Sequence, residues 1–434
     1  MGGAAGHMAH PFDVPTVRNG RDLIKFFDEA SEYLADNESS VKIDGVNVSF
    51  KLVDGLNGKE FALDRGSLNP LDIDGITQAK LGERFGYRVK APDTLENIAK
   101  ELSEKTAEIG APPITAKELL DLNPGLSPGQ ILVAGQLIKL PDSIEHGMIK
   151  AGNKMLPLLN DALPSIQSEL KQLGMYDDPT MFLDTEYVKG KTNVTNYDQE
   201  FLAIHGLSQF YEKISRIKSK ARRPGVTRPE GVKAPSVEVP YNKSVMKRLI
   251  DKLSPIGKKQ GFEVYGNVPA FLKGDAQTAD FSGTLSSPFE VVQSEGESET
   301  KPLSQWLQSA NHPGEQQITL KSGKKVNALS KEVYMSIIDG MPVDELVADP
   351  SQEQLAIDAA VIYHATRMLG NDVLDVLTSP MGDVRSQEGV VLRDKRFGSR
   401  PVKITGDFIV GGLESAFKKN ENLLRNYVQA ILKS

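Results

Sequence analysis

Cysteine is absent from the 434 residues. That excludes disulfides, thiolate nucleophiles, iron–sulfur clusters and cysteine-ligated zinc, and points to a reducing compartment. Tryptophan occurs once and histidine six times. His7 and His10 lie in an opening MGGAAGHMAH that resembles an expression-tag remnant, so residues 1–10 are set aside. The other four, His146, His205, His312 and His364, are far apart and form no His-Glu-x-x-His zinc pattern. No run nears the ~18 apolar residues of a membrane span, and no secretion signal is visible, so a soluble cytoplasmic protein is expected. Excess positive charge is missing too. With 51 Lys+Arg against 58 Asp+Glu the net charge is −7, so any nucleic-acid binding must come from a local basic patch. Gly190-Lys191-Thr192 resembles the end of a P-loop, but Thr185 stands where its first glycine belongs, and no dinucleotide glycine motif occurs. Chemistry must therefore come from Lys, Arg, Asp and Glu.

What is present reads as an α+β chain. Leu23, Ile24, Phe26, Phe27, Ala30 and Leu34 recur with helical spacing over 22–34. Residues 41–53 alternate as a strand, Asp54-Gly55 and Asn57-Gly58 supply a turn, and 60–64 returns. Residues 147–173 read as one or two helices broken near Pro157 and Pro164, and 181–188 and 200–207 as strands. The Ser/Glu-rich stretch 281–302 reads as a mobile loop. Ser351 with Gln354 marks the start of a helix that Gly370 stops. Strands are expected at 389–394 and 400–405, and a terminal helix within 411–434. A basic, proline-containing linker is expected over 213–240; its Arg216, Lys218, Lys220, Arg222 and Arg223 are candidates for a nucleic-acid clamp.

Residues 85–142 differ from their surroundings. A short strand at Tyr87-Arg88-Val89 precedes a helix from Leu95, a second helix capped by Thr115 with Glu118, and a closing strand at Leu137-Ile138. This β-α-α-β order, with Asp93-Thr94-Leu95, Ile98-Ala99, Leu119, Asn123, Gly135-Gln136-Leu137 and Pro141, resembles the LysM module. That resemblance implies a glycan or protein ligand.

A second set of residues carries chemistry. Lys42-Ile43-Asp44-Gly45 opens a strand, and Arg65-Gly66 closes the adjacent hairpin. Glu186 sits inside the apolar strand 183–188, an expensive place for a carboxylate without a partner. Glu388-Gly389 precedes the apolar Val390-Val391-Leu392, and Lys403 lies between Val402 and Ile404. In this order the residues resemble the motifs of the covalent nucleotidyltransferases, the superfamily of ATP-dependent polynucleotide ligases and capping enzymes. The resemblance makes Lys42 the nucleophile that forms a lysyl–AMP, with Asp44, Gly45, Arg65, Glu186, Glu388, Gly389 and Lys403 around the nucleotide. Ile204 or His205 would cover the base. ATP and Mg²⁺ (or Mn²⁺) are the implied cofactors, and Glu388 and Glu186 the implied metal ligands.

Thr405 stands where the family has a second lysine, a departure from its fifth motif that bears on the sealing step. The implied fold is a nucleotidyltransferase domain of antiparallel sheets with flanking helices, spanning 11–84 and 143–410, interrupted by the LysM-like insert. The remaining tail is too short for a C-terminal OB-fold, which favours an RNA ligase over a DNA ligase and a phage source. The alternatives are a ligase-like scaffold or virion-associated binding protein without sealing activity, and an AMP-transferase with another acceptor.

Overall fold

The computed structural model describes residues 8–37, 39–43, 45–65, 67–107, 113–141, 144–189, 197, 200–210, 213–221, 236–293, 297–398 and 400–406. Mixed helices and antiparallel sheets bear out the α+β class. The chain divides into two compact units, Gly45–Asn267 and Met8–Asp44 with Val268–Gly412. The cuts fall inside the stretch expected to be one discontinuous domain, because each unit has its own sheet and its own helices.

In the unit Gly45–Asn267 the strands run in the order Ser236–Val239, Glu200–Phe210, Met181–Lys189, Val46–Gly55, Gly58–Asp64. Glu263–Tyr265 adds in parallel to residues 201–203. Gly58, at φ 119°, makes the hairpin turn that a side chain would strain. Against this sheet lies one continuous helix, Gly147–Gln172, with Pro157 and Pro164 inside it. The expected break is absent. Each proline opposes the helix by about 3 kcal/mol. The buried stripe Met148, Met155, Leu156, Leu159, Ala162, Ile166 and Leu170 outweighs that, since one fully buried large apolar side chain contributes about 1.5–3 kcal/mol.

Within the same unit, residues 87–141 have a separate core of Val89, Leu95, Ile98, Ala99, Leu102, Ile114, Leu119, Leu132 and Ile138. Tyr87 pairs with Ile138, so the two ends of the module lie side by side. Helices run over Leu95–Ala107 and Ala116–Leu122, the second capped by Thr115, whose hydroxyl accepts from the Glu118 amide at 3.1 Å. The Asn123 side chain bonds the Leu119 and Lys139 carbonyls and the Lys139 amide, joining the second helix to the closing strand. A second small ladder, Asp93–Thr94 with Ile131–Leu132, was not foreseen.

The other unit is built on strands in the order Gly382–Asp383, Leu377–Ser379, Pro269–Leu272, Ser39–Val41, Val390–Leu392, Val402–Ile404, all antiparallel. Helix Gly20–Asp36 starts on an Asn19 cap and buries Leu23, Phe26, Phe27, Ala30 and Leu34 of the set that the periodicity predicts, while Ile24 is half-buried. Helix Glu353–Asp375 passes through Gly370 instead of stopping there. A Cβ at Gly370 would meet the Thr405 carbonyl oxygen at 2.7 Å, so this glycine serves close packing. Asp349, not Ser351, provides the cap at the entry to that helix. The expected mobile loop is a short helix, Ser282–Ser286, and a hairpin of Pro288–Val292 with Ser298–Pro302. Burial of Phe289 and Val291 and a 2.9 Å bond from Trp306 Nε1 to the Phe289 carbonyl hold it.

Ala9 and His10, set aside with the opening segment, belong to the fold. Ala9 is buried and bridges Val402 in parallel, and His10 caps a turn at Pro11–Asp13. Asp44, Arg222, Arg223 and the terminal helix within 411–434 lie outside the described residues.

Candidate functional site

The nucleophile candidate Lys42 follows the strand Ser39–Val41, and its amide donates to the Gly389 carbonyl at 2.7 Å. Val41 pairs with Val390, and Val391 pairs with Lys403. This register brings Lys42, Glu388, Gly389 and Lys403 to one end of the sheet. The Lys42 ammonium forms an ion pair with the Glu388 carboxylate, and both side chains are mostly shielded from water, at 13% and 21% exposure. Gly389, at φ 126°, lies so close to the next strand that a Cβ would sit 2.1 Å from the Ile404 carbonyl oxygen. Any side chain there would push Glu388 away from Lys42. Burial and the Lys42 charge lower the Lys403 pKa, opposed by Glu388 and Asp13. The cluster thus combines an ion-paired amine, a second cation and one carboxylate.

A second cluster lies in the unit Gly45–Asn267. The Gly45 amide donates to Glu186 Oε1 at 3.1 Å, and Glu186 Oε2 is 3.4 Å from His205 Nε2. A Cβ on Gly45 would lie 2.7 Å from the Tyr187 carbonyl oxygen, so only glycine lets this loop approach the strand so closely. The pairing of Met181–Lys189 with Glu200–Phe210 slips once: Asp184 faces Gly206 but Thr185 faces Ile204. His205 is the extra residue of this bulge. Its carbonyl, excluded from the ladder, accepts from the Asn267 side chain at 2.8 Å and the Tyr241 hydroxyl at 3.4 Å. Ile204 lies buried in the core among the apolar residues of that sheet, so it cannot cover a base, a correction to its expected role. His205 remains partly exposed beside Glu186.

Arg65 follows the strand Gly58–Asp64. Its Nη1 donates to the Asn47 carbonyl at 3.2 Å and approaches the Met148 sulfur at 3.5 Å. Burial lowers its pKa, and the Asp72 charge opposes that. Asn47 is the strand partner of Glu186, which places Arg65 and Glu186 on the same stretch of sheet.

The two expected metal ligands belong to different units, Glu186 to one and Glu388 to the other. Both Glu186 oxygens have protein partners, whereas Glu388 stands beside the lysines. Among the described residues no group of three or more His, Asp or Glu could hold a metal by itself. Magnesium commonly takes only one or two protein carboxylates beside phosphates and waters, and Glu388, a single carboxylate beside two lysines, has the chemistry of such a ligand.

Of the expected clamp residues, Lys218 forms an ion pair with Asp74, and Arg216 is exposed on the helix Ile214–Ala221. This helix replaces the start of the expected linker, because Ile217 packs with Phe182, Phe210 and Ile73. Lys220 lies on it as well. Sequence reasoning missed His10 and Asp13. His10 donates its amide to Asp13 Oδ2 at 2.8 Å, and its Nδ1 lies 3.0 Å from the same oxygen.

Among the described residues no helix is long and apolar enough to cross a membrane. No curated protein and no solved structure shows significant similarity to the chain. Residues 87–141 match the LysM domain family.

Proposed function

We propose that the chain is a covalent nucleotidyltransferase that forms a lysyl–AMP at Lys42 and carries a LysM module. The observation that carries this reading is the cluster of Lys42, Glu388 and Lys403, two cations and a carboxylate held by adjacent strands. A lysine attacks phosphorus only as a neutral amine. In the proposed step the Lys42 ammonium first loses a proton to solvent water, with Lys403 and the bound nucleotide's metal disfavouring the charged form. Nζ then bonds to the α-phosphorus of ATP, and the bond from that phosphorus to the β-phosphate bridge oxygen breaks, releasing pyrophosphate. Lys403 would hold the α-phosphate. Magnesium, or manganese, bound with the nucleotide would neutralise phosphate charge, with Glu388 as its protein ligand. Positioning and charge neutralisation, the main needs of phosphoryl transfer, are what these residue types supply.

The acceptor would be a 5′-phosphorylated polynucleotide, RNA before DNA. A 5′-phosphate oxygen takes the adenylate from Lys42, and a 3′-hydroxyl then attacks the 5′-phosphorus and displaces AMP. Arg216, exposed on its helix, would contact its phosphates. Incubation with α-labelled ATP and Mg²⁺ tests the first step. Wild type should become labelled and Lys42→Ala should not; an unlabelled wild type refutes the reading. Nicked or single-stranded 5′-phosphorylated RNA and DNA then identify the acceptor.

The LysM match supports a second role, since that family binds N-acetylglucosamine polymers. A protein that attaches to glycan and transfers no nucleotide would be retained on insoluble chitin or peptidoglycan through residues 87–141 and would stay unlabelled by ATP.

A further inference from the structure

We infer that the LysM module carries a second binding site, a cleft for a zwitterionic peptide of the kind that branches from a bacterial wall glycan. The cleft has a volume of about 610 Å³ and is lined by Thr115, Lys117, Glu118, Asp121, Leu122 and Pro141. Sites for small organic ligands run from about 300 to 1,000 Å³, so a short peptide fits. One wall is the outer side of the helix Ala116–Leu122, whose inner side buries Leu119 in the core of the module. The other wall is Pro141, where the chain leaves the module. Its carbonyl accepts from the Ile144 amide at 3.0 Å and from the Glu145 amide at 2.9 Å. The Asn123 side chain, bonded to the Leu119 carbonyl and to the Lys139 backbone, keeps the end of the helix against this exit.

The lining has an apolar floor and a charged rim. Leu122 is half-buried and Pro141 buried, whereas Lys117, Glu118 and Asp121 are exposed. None of these three side chains forms an ion pair with a described residue. Lys117 and Asp121 lie one helical turn apart with the lysine first, the less favourable order for such a pair. The Thr115 hydroxyl accepts from the Glu118 amide at 3.1 Å and still has its proton to donate. A matching ligand has a carboxylate for Lys117, an ammonium for Asp121 and Glu118, a carbonyl for Thr115 and small apolar groups for the floor. Uncharged N-acetylglucosamine polymers offer neither charge. The peptides of peptidoglycan carry both, together with methyl groups.

The inference rests on the glycan reading of the module only for the polymer that bears the peptide. Retention of the full chain is measured on intact peptidoglycan, on peptidoglycan stripped of its peptides by an amidase, and on chitin. Binding of the free tripeptide Ala-γ-Glu-Lys is followed by calorimetry. Wild type should bind intact peptidoglycan more tightly than the stripped polymer, and should bind the tripeptide. Lys117→Gln and Asp121→Asn should each weaken both interactions by about twofold to fivefold, the scale of an exposed ion pair, and leave chitin binding unchanged. Lys139→Gln, at an exposed lysine of the module outside the cleft, should change nothing.

The sign of the Asp121→Asn effect separates a site from general attraction. Simple attraction of cations to an anionic wall is weakened by Lys117→Gln and strengthened by Asp121→Asn, and that pattern overturns the inference. Equal wild-type binding of intact and stripped peptidoglycan overturns it too and leaves the glycan reading standing. Tripeptide binding that both variants weaken, without retention on chitin or stripped peptidoglycan, upholds the cleft and overturns the glycan reading alone.

Discussion

Lys51 is a residue whose importance shows only in three dimensions. Its side chain is 1% exposed, its ammonium is 2.9 Å from the equally buried Asp64, and it donates to the Ile73 carbonyl at 2.5 Å. The ammonium also lies 5.6 Å from the Phe210 ring centre. Removing one partner of a buried pair leaves a charge without its counter-ion, which costs about 3–5 kcal/mol. Lys51→Met should lower the urea unfolding free energy of its unit by that amount. Lys51→Met with Asp64→Leu should recover most of it, because a fully apolar replacement avoids the stranded charge. The sequence conceals this pair, since a Lys and an Asp in alternating strands read as solvent-facing.

The candidate site is different: Lys42, Glu388 and Lys403 could be singled out as charged residues at apolar strands, and the strand register sets them beside one another. Ile204 was not excluded in advance. Strand alternation assigns faces by parity, and the bulge at His205 changes that parity at one point.

At the scale of elements, helix starts show how local chemistry becomes pH-sensitive stability. The helix Gly147–Gln172 is capped by His146, whose Nδ1 accepts from the Met148 amide at 3.1 Å, and its ring stacks on Phe85 with 5.1 Å between centroids. A protonated ring could not accept that bond. Burial first, then the Arg65 and Arg84 charges, lower the His146 pKa. The unfolded chain, with its ordinary value near 6.5, therefore binds a proton at a higher pH than the native protein. The stabilisation from this neutral cap is complete above pH 6.5 and is lost as pH falls below it toward the native value. His146→Asn keeps a capping oxygen and does not titrate. The Tm of wild type relative to His146→Asn should fall between pH 7 and pH 5; a pH-independent difference would refute this account of the cap.

Elements with a clear apolar period, such as Gly20–Asp36, were readable from sequence. The hairpin at 288–302 was not, because charges interrupt its alternation, and the prolines of Gly147–Gln172 suggested a break that tertiary burial overrides.

At the scale of the whole molecule, the LysM module should be separable from the chain that carries it. It has its own apolar core and its ends meet at the Tyr87–Ile138 pair, so the flanking chain enters and leaves at one place. Insertions with adjacent ends and independent cores are tolerated because few contacts cross the boundary. Replacing residues 87–141 by a short Gly/Ser linker should leave the Tm of the remaining chain within a few degrees of wild type. It should leave ATP labelling of Lys42 intact and abolish retention on chitin or peptidoglycan. Residues 85–142 expressed alone should give a cooperative thermal transition, and Leu119→Ala, which opens a cavity in a fully buried position, should destabilise it by about 2–5 kcal/mol. The same substitution in the full chain should lower only the transition of the module. If it also abolished ATP labelling, the module would be part of the proposed nucleotide chemistry, and the proposed separation of a glycan-binding insert from a Lys42-centred enzyme would have to be abandoned.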